Sequence, residues 1–259
     1  MLRIPWTFLK ISALNEMAYR ANFWIQAFES VLALLTTLGA AMIVFSQTDE
    51  LAGWHFPELI SLLGIYYIVL GSINFVSSPS LNKFMEDIVE GKLDFTLTKP
   101  KDSQLLVSVQ EFRLWKLLDV ALGFIVLGYG LSQQARDVGL LDAVAFGIAM
   151  LCAGAIVYSF WMVLATLAFW FIRIENILQI FWAMFIAGRW PVTIYPGWLK
   201  LMLTMLVPIA FAVTVPAEAI SGKITAETLA TAIALAVGIT ILSRRFWRFG
   251  LKFYSGASA

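Results

Sequence analysis

Residues 143–172 run for thirty positions without a charged side chain, between Asp142 and Arg173. As a helix this run would extend about 45 Å, beyond the roughly 30 Å hydrocarbon layer of a bilayer. A helix on the surface of a soluble domain keeps a polar face, and this one has none. The rest of the chain agrees. Hydrophobic residues fill 60% of the 259 positions and charged residues only 14%, about half the share of a typical globular domain. Mean hydropathy is +0.82. The fold class is therefore an all-α integral membrane protein, read as one transmembrane domain over residues 1–259.

Further spans are expected at 22–46, which contains Glu29, at 59–78, at 117–132 with Asp119 near its start, and at 224–243. The stretch between 176 and 217 is harder. Residues 176–188 are apolar but short and meet "RWPVTIYPGWLK"; residues 201–217 are apolar but interrupted by Pro208 and Pro216. Proline removes a helical hydrogen bond and kinks the helix. Irregular backbone at membrane depth needs cover from protein or water. The expectation is a fifth span over 176–195, then broken re-entrant helices over 197–218 before the sixth span. With the N-terminus inside and six spans, Arg136, Arg189, Lys200 and Lys223 lie outside. The other fourteen of the 18 Lys and Arg lie inside. A seventh crossing would put "RRFWRFGLK" outside, so both termini are expected to be cytoplasmic. Arg173 and Glu175 should frame a tight inner turn.

The first twenty residues carry Arg3, Lys10, Glu16 and Arg20 and do not read as a cleaved signal peptide. Ile4, Phe8, Ile11, Leu14 and Ala18 recur at helical steps. Residues 1–20 are expected as an interfacial helix, with a frayed tail as the plainer alternative.

Residues 80–100, "SLNKFMEDIVEGKLDFTLTKP", gather seven charges in an otherwise apolar chain. Leu81, Phe84, Met85, Ile88 and Val89 share one helical face, while Asn82, Lys83, Glu86, Asp87 and Glu90 share the other. Ser80 suits an N-cap and Gly91 the position past the C-terminus. Leu93, Phe95 and Leu97 then alternate with polar residues, which suggests an extended piece ended by Pro100. Such a helix either floats at the lipid surface or docks a partner, and periodicity leaves both open.

The string "GKLDFTLTKP" after an amphipathic helix, between the second and third spans, resembles the cytoplasmic loop of ABC type-2 exporter permeases. Gly91, Leu93, Asp94, Leu97, Lys99 and Pro100 fill the places of that loop's pattern, and "WPVTIYPGWLK" before "VPIAFAVTVPAEAISG" resembles the family's segment before its last span. The resemblance implies a cytoplasmic coupling helix between spans two and three that docks a separate nucleotide-binding ATPase. Its candidate docking residues are Leu81, Lys83, Phe84, Met85, Glu86, Asp87, Ile88 and Glu90, followed by the six pattern residues. It further implies a multi-pass permease of the bacterial inner (plasma) membrane, paired with a second, identical or related permease. ATP and Mg would bind the partner subunit, and no cofactor this chain.

The chain has no P-loop string, and one histidine with one cysteine cannot build the usual zinc site. His55 suits an interfacial anchor and Cys152 a packing residue. A net charge of +1 without a basic stripe argues against nucleic acid. Glu29 and Asp119 are the polar candidates at membrane depth, since ionisable groups there are costly. Asp119 can pair with Lys116 at i, i+3. The runner-up function is a standalone proton-coupled secondary transporter using these two carboxylates. Otherwise the chain is expected to be non-catalytic, the path-forming subunit of an ATP-driven exporter.

Overall fold

The computed structural model describes residues 3–18, 20–134, 136–171 and 175–254. Helix α1 (Arg3–Ala18) leads into α2 (Arg20–Phe45), and a two-stranded hairpin, β1 (Glu50–Leu51) and β2 (Trp54–His55), turns the chain into α3 (Phe56–Val89). Two short helices follow, α4 (Asp94–Leu97) and α5 (Ser103–Ser108), then α6 (Leu114–Ser132) and α7 (Leu140–Phe169). Helix α8 (Glu175–Phe185) tightens into a 3₁₀ turn at Ile186–Arg189. The chain ends with α9 (Gly197–Leu206), α10 (Ala210–Ile220) and α11 (Ala226–Phe253). Helices α2, α3, α6, α7 and α11 are long and apolar enough to cross a bilayer. This is the all-α membrane architecture read from the sequence.

Prolines shape the helices in one repeated way. Each π-helical turn, at Ile73–Ser77, Met202–Leu206 and Ala210–Thr214, ends two residues before a proline: Pro79, Pro208 and Pro216. Proline has no N–H to give, and its ring crowds the carbonyl four residues back. Widening the preceding turn relieves that crowding. In α3 the carbonyl left over by Pro79 is that of Phe75, and the Arg113 N–H takes it at 2.9 Å. So α3 does not stop at Pro79. The separate helix expected from residue 80 is instead the last turns of a 34-residue helix. Ser80 is no N-cap; its Oγ donates to the Glu111 carbonyl at 2.8 Å.

The closest helix pair is α3 with α6, and glycines permit it. A Cβ on Gly64 would stand 2.4 Å from Leu127 N, and one on Gly123 would stand 2.7 Å from the Gly64 carbonyl oxygen. Gly71 and Gly130, one heptad further on each helix, meet Val120 and Ser61 as closely. Small residues let backbones approach where no hydrophobic force separates lipid from protein contacts.

Side-chain bonds define two ends of the bundle. At the hairpin end, Trp54 Nε1 donates to Thr193 Oγ1 at 3.2 Å, Lys223 pairs with Glu58, and Arg136 reaches Asp142 at 2.7 Å and the Ser221 carbonyl at 3.3 Å. At the loop end, Phe84, Phe169, Trp247 and Tyr254 form one aromatic cluster, and Trp247 Nε1 donates to Ser103 Oγ at 3.2 Å. Phe169 thus lies at one end and Thr193 at the other. Between them, α8 and its 3₁₀ turn together rise about 25 Å. Within the stretch expected as a span over 176–195, the α-helix gives way to a 3₁₀ turn at Phe185, and Pro191 follows. The turn expected at Arg173 lies outside the described residues. Helices α9 and α10 meet at 79° around Pro208, and the chain enters this pair after Thr193 and leaves it before Lys223. Both outer ends of the bent pair therefore belong to the hairpin end.

Asp102 caps α5, accepting the Leu105 N–H at 3.1 Å, and its carboxylate is gripped by Arg244 of α11. The guanidinium hydrogen bond holds the Asp102 carboxyl below the usual carboxylate range. A folded pKa below the unfolded value gives stability that is complete above about pH 4 and fades as the pH falls through the folded value. Thermal midpoints of wild type and Asp102→Asn should therefore differ above about pH 4 and converge below it. Because the pair is partly exposed, the difference should stay near 1 kcal/mol, roughly one cap or exposed ion pair.

Candidate functional site

The charged stretch forms a knuckle at the loop end. Helix α3 ends in a closed C-terminal turn: Lys92 N–H bonds the Asp87 carbonyl at 2.8 Å and Gly91 N–H the Ile88 carbonyl at 3.2 Å. Gly91 supplies the positive φ of 67° that this closure needs. Leu93 then plugs into the core, fully buried, and α4 turns the chain once more. The extended piece expected at 93–99 is thus a helical turn over Asp94–Leu97. In a helix Leu93 and Leu97 share a face and Phe95 points away from it. Phe95 is 74% exposed and Val89 65% exposed, two apolar side chains among the exposed charges of Glu86, Glu90, Lys92 and Lys99 on this segment.

The expected docking residues separate into three groups. Leu81, Phe84, Met85, Asp87 and Leu93 are buried and hold the knuckle to the bundle, so they present nothing to a partner here. Lys83, Ile88, Gly91, Asp94 and Leu97 are half-buried. Glu86, Glu90, Lys99 and Pro100 are exposed, as are Lys92, Val89 and Phe95, which the docking set omitted. Lys83 bridges Glu86 at 3.5 Å and Asp87 at 3.2 Å, while Lys92 meets Glu90 at 2.7 Å. The Lys92 ammonium holds the Glu90 carboxyl below its usual value.

Helix α1 is tied to the same region. Ser12 Oγ accepts the Phe112 N–H at 3.2 Å, and Glu16 Oε1 accepts the Leu114 N–H at 2.8 Å. Burial pushes the Glu16 carboxyl up, against the pull of the Leu114 and Trp115 N–H groups and the Arg113 charge. Between α1 and the knuckle lies a cavity of roughly 400 Å³, lined by Phe8, Glu16, Lys83, Lys99 and Arg113 among others. Trp6, Ile11 and Leu14 remain exposed on α1. The side chains of Ile4 and Ala18, on the expected apolar face, lie outside the described ones.

Asp119 is buried and paired with Lys116 at 2.9 Å, the i, i+3 partner expected for it; its second oxygen has no hydrogen-bond partner. Glu29 is exposed on α2, beside Phe28 and Leu32. One carboxylate is thus already engaged and the other faces outward. Among the described residues no group of three or more His, Cys, Asp or Glu could hold a metal ion.

A family described as ABC-2 family transporter protein matches residues 31–258, from within α2 to beyond the last helix. The chain belongs to the ABC-2 transporter family. No curated protein and no solved structure matches it. The ABC-2 permease is a multi-pass membrane component of a transporter. Its knuckle carries charged side chains and two exposed apolar ones, Val89 and Phe95.

Proposed function

We propose that this ABC-2 permease is the path-forming subunit of an ATP-driven exporter in the bacterial inner membrane. The knuckle docks a separate nucleotide-binding subunit, which carries the ATP and Mg. The observation carrying this reading is the exposure of Phe95 and Val89 on a segment anchored by buried Leu93, Phe84 and Met85, which also exposes the charged Glu86, Glu90, Lys92 and Lys99. Interfaces concentrate their energy in such desolvated apolar anchors, and the surrounding charges select the partner. The loop end is then cytoplasmic, with both termini, and α1 rests on the inner leaflet. Helix α8 makes the fifth crossing, and α9 and α10 dip into the outer leaflet and return. A second permease chain, identical or related, completes the path.

The mechanism is mechanical. Helix α3 joins the knuckle to the hairpin end as one 34-residue element, and its glycines lock α6 to it. Closure of two ATPase subunits would displace both knuckles, and α3 with α6 would carry that displacement to the outer half. The π-turn at Ile73–Ser77 is the place where α3 can bend. Co-purification from native membranes tests the reading: a P-loop ATPase should accompany the tagged chain and hydrolyse ATP in the complex. A preparation in which no such subunit ever accompanies the intact chain would overturn it.

A further inference from the structure

Arg189 closes the 3₁₀ turn after α8 and stands with its guanidinium carbon 5.7 Å from the centre of the Tyr66 ring. Tyr66 is 1% exposed and lies in the middle of the apolar part of α3. Among the described residues no carboxylate lies within ion-pair distance of Arg189, whereas Lys223 pairs with Glu58 and Arg136 with Asp142. Its Nε is sealed from solvent and has no hydrogen-bond partner. Arg189, expected outside, thus reaches the apolar part of α3, where an ionisable side chain without a protein counter-charge is a functional candidate by default.

Beside it lies a cavity of roughly 180 Å³, lined by Thr36, Thr37, Leu59, Leu63, Arg189 and Trp190. Leu59 and Leu63 lie one and two turns below the start of α3, about 5–10 Å from the hairpin end. Thr36 and Thr37 donate to the Ala33 carbonyl at 2.9 and 2.8 Å, and Thr37 Oγ1 also lies 3.3 Å from the Tyr67 hydroxyl. Among the described residues that line it, Arg189 is the one cation, and the rest are aliphatic apart from the two threonines and Trp190. By liquid volume the cavity equals about six waters, enough for a phosphate or carboxylate with a few methylenes.

We propose that Arg189 and this cavity bind the anionic head of an amphiphilic substrate, a phosphate or carboxylate carried on an apolar chain. The inference rests on the permease reading, since it names the class of compound that the path would accept. Arg189 would meet the head through its guanidinium fork, while Leu59, Leu63 and Trp190 would cover the first methylenes.

The test is a thermal-shift titration of the purified full-length chain in maltoside micelles. The probes are n-dodecyl phosphate, n-dodecyl phosphocholine and inorganic phosphate, each with wild type, Arg189→Gln and Arg189→Lys. Dodecyl phosphate should bind wild type more tightly than the phosphocholine. Arg189→Gln should weaken it at least about tenfold, and Arg189→Lys should recover much of that loss. Inorganic phosphate binding as well as dodecyl phosphate would remove the amphiphile and leave a free anion. Equal dodecyl phosphate affinity in wild type and Arg189→Gln overturns the site. So does an Arg189→Gln change confined to the oligomeric state, which would assign Arg189 to contact with a second copy. A purely structural Arg189 would lower the unliganded midpoint of both variants and leave their affinities alone. No ATPase takes part in the titration, so failed docking at the knuckle and failed binding at Arg189 are separate results.

Discussion

Gly123→Val should separate α3 from α6 and leave the chain unable to hold its fold in detergent. The new side chain would meet backbone, because a Cβ at that position lies 2.7 Å from both the Gly64 carbonyl oxygen and Ile68 N. Overpacking against movable side chains costs roughly 1–3 kcal/mol, and backbone cannot swing aside, so the expected loss is about 3 kcal/mol or more. Gly128 provides the control, since it sits on the same helix with nothing within 4 Å of its added Cβ. Gly128→Ala should leave the thermal midpoint unchanged or raise it slightly, as alanine favours helix by about 1 kcal/mol. Equal midpoints for Gly123→Val and wild type would mean that the glycine contacts do not set the packing.

Phe95→Asp should abolish docking of the ATPase while leaving the permease folded. Phe95 is 74% exposed, so its replacement removes no core packing from this chain. An aromatic anchor at an interface centre is worth about 2 kcal/mol or more, which is about a thirtyfold loss in Kd. Val89→Asp should act in the same direction and add to it. Glu90→Gln, by contrast, changes an exposed rim charge and should alter association rate and salt dependence more than affinity. Binding of a purified ATPase to detergent-solubilised variants measures all three. Phe84→Ala belongs to another class: Phe84 is fully buried between Phe169 and Trp247, so its loss should cost stability first.

The long apolar elements were legible because membrane crossing demands length and hydropathy, and both are local. Gly91 was legible for the same reason: a helix end needing positive φ selects glycine, and the structure has φ 67° there. The Lys116–Asp119 pair follows from helical spacing alone. The continuity of α3 was not legible. "SPS" reads as a boundary because Pro79 spoils the local hydrogen-bond ladder, and only the distant Arg113 N–H repairs it. In "LDFTL" the alternation of Leu93, Phe95 and Leu97 obscured the helical pairing of Leu93 with Leu97, which turns Phe95 outward. The glycines at 64, 71, 123 and 130 carry a seven-residue spacing on each helix, and that signal was present; their meaning emerges only when α3 and α6 are laid side by side. Asp87 illustrates the opposite error. Its charge suggests an exposed face, yet Lys83 neutralises it and its carbonyl closes the helix end, so it is buried.

Site-specific photo-crosslinking in native membranes is the most direct measurement of docking through the knuckle. A photoreactive residue placed at position 95 or 89 should capture a P-loop ATPase subunit, identified by mass spectrometry, and one at position 84 or 93 should not. Absence of the ATPase at 95 and 89, in a chain that is inserted and folded, would contradict the coupling role. Equal capture at the buried positions would contradict the geometry on which it rests.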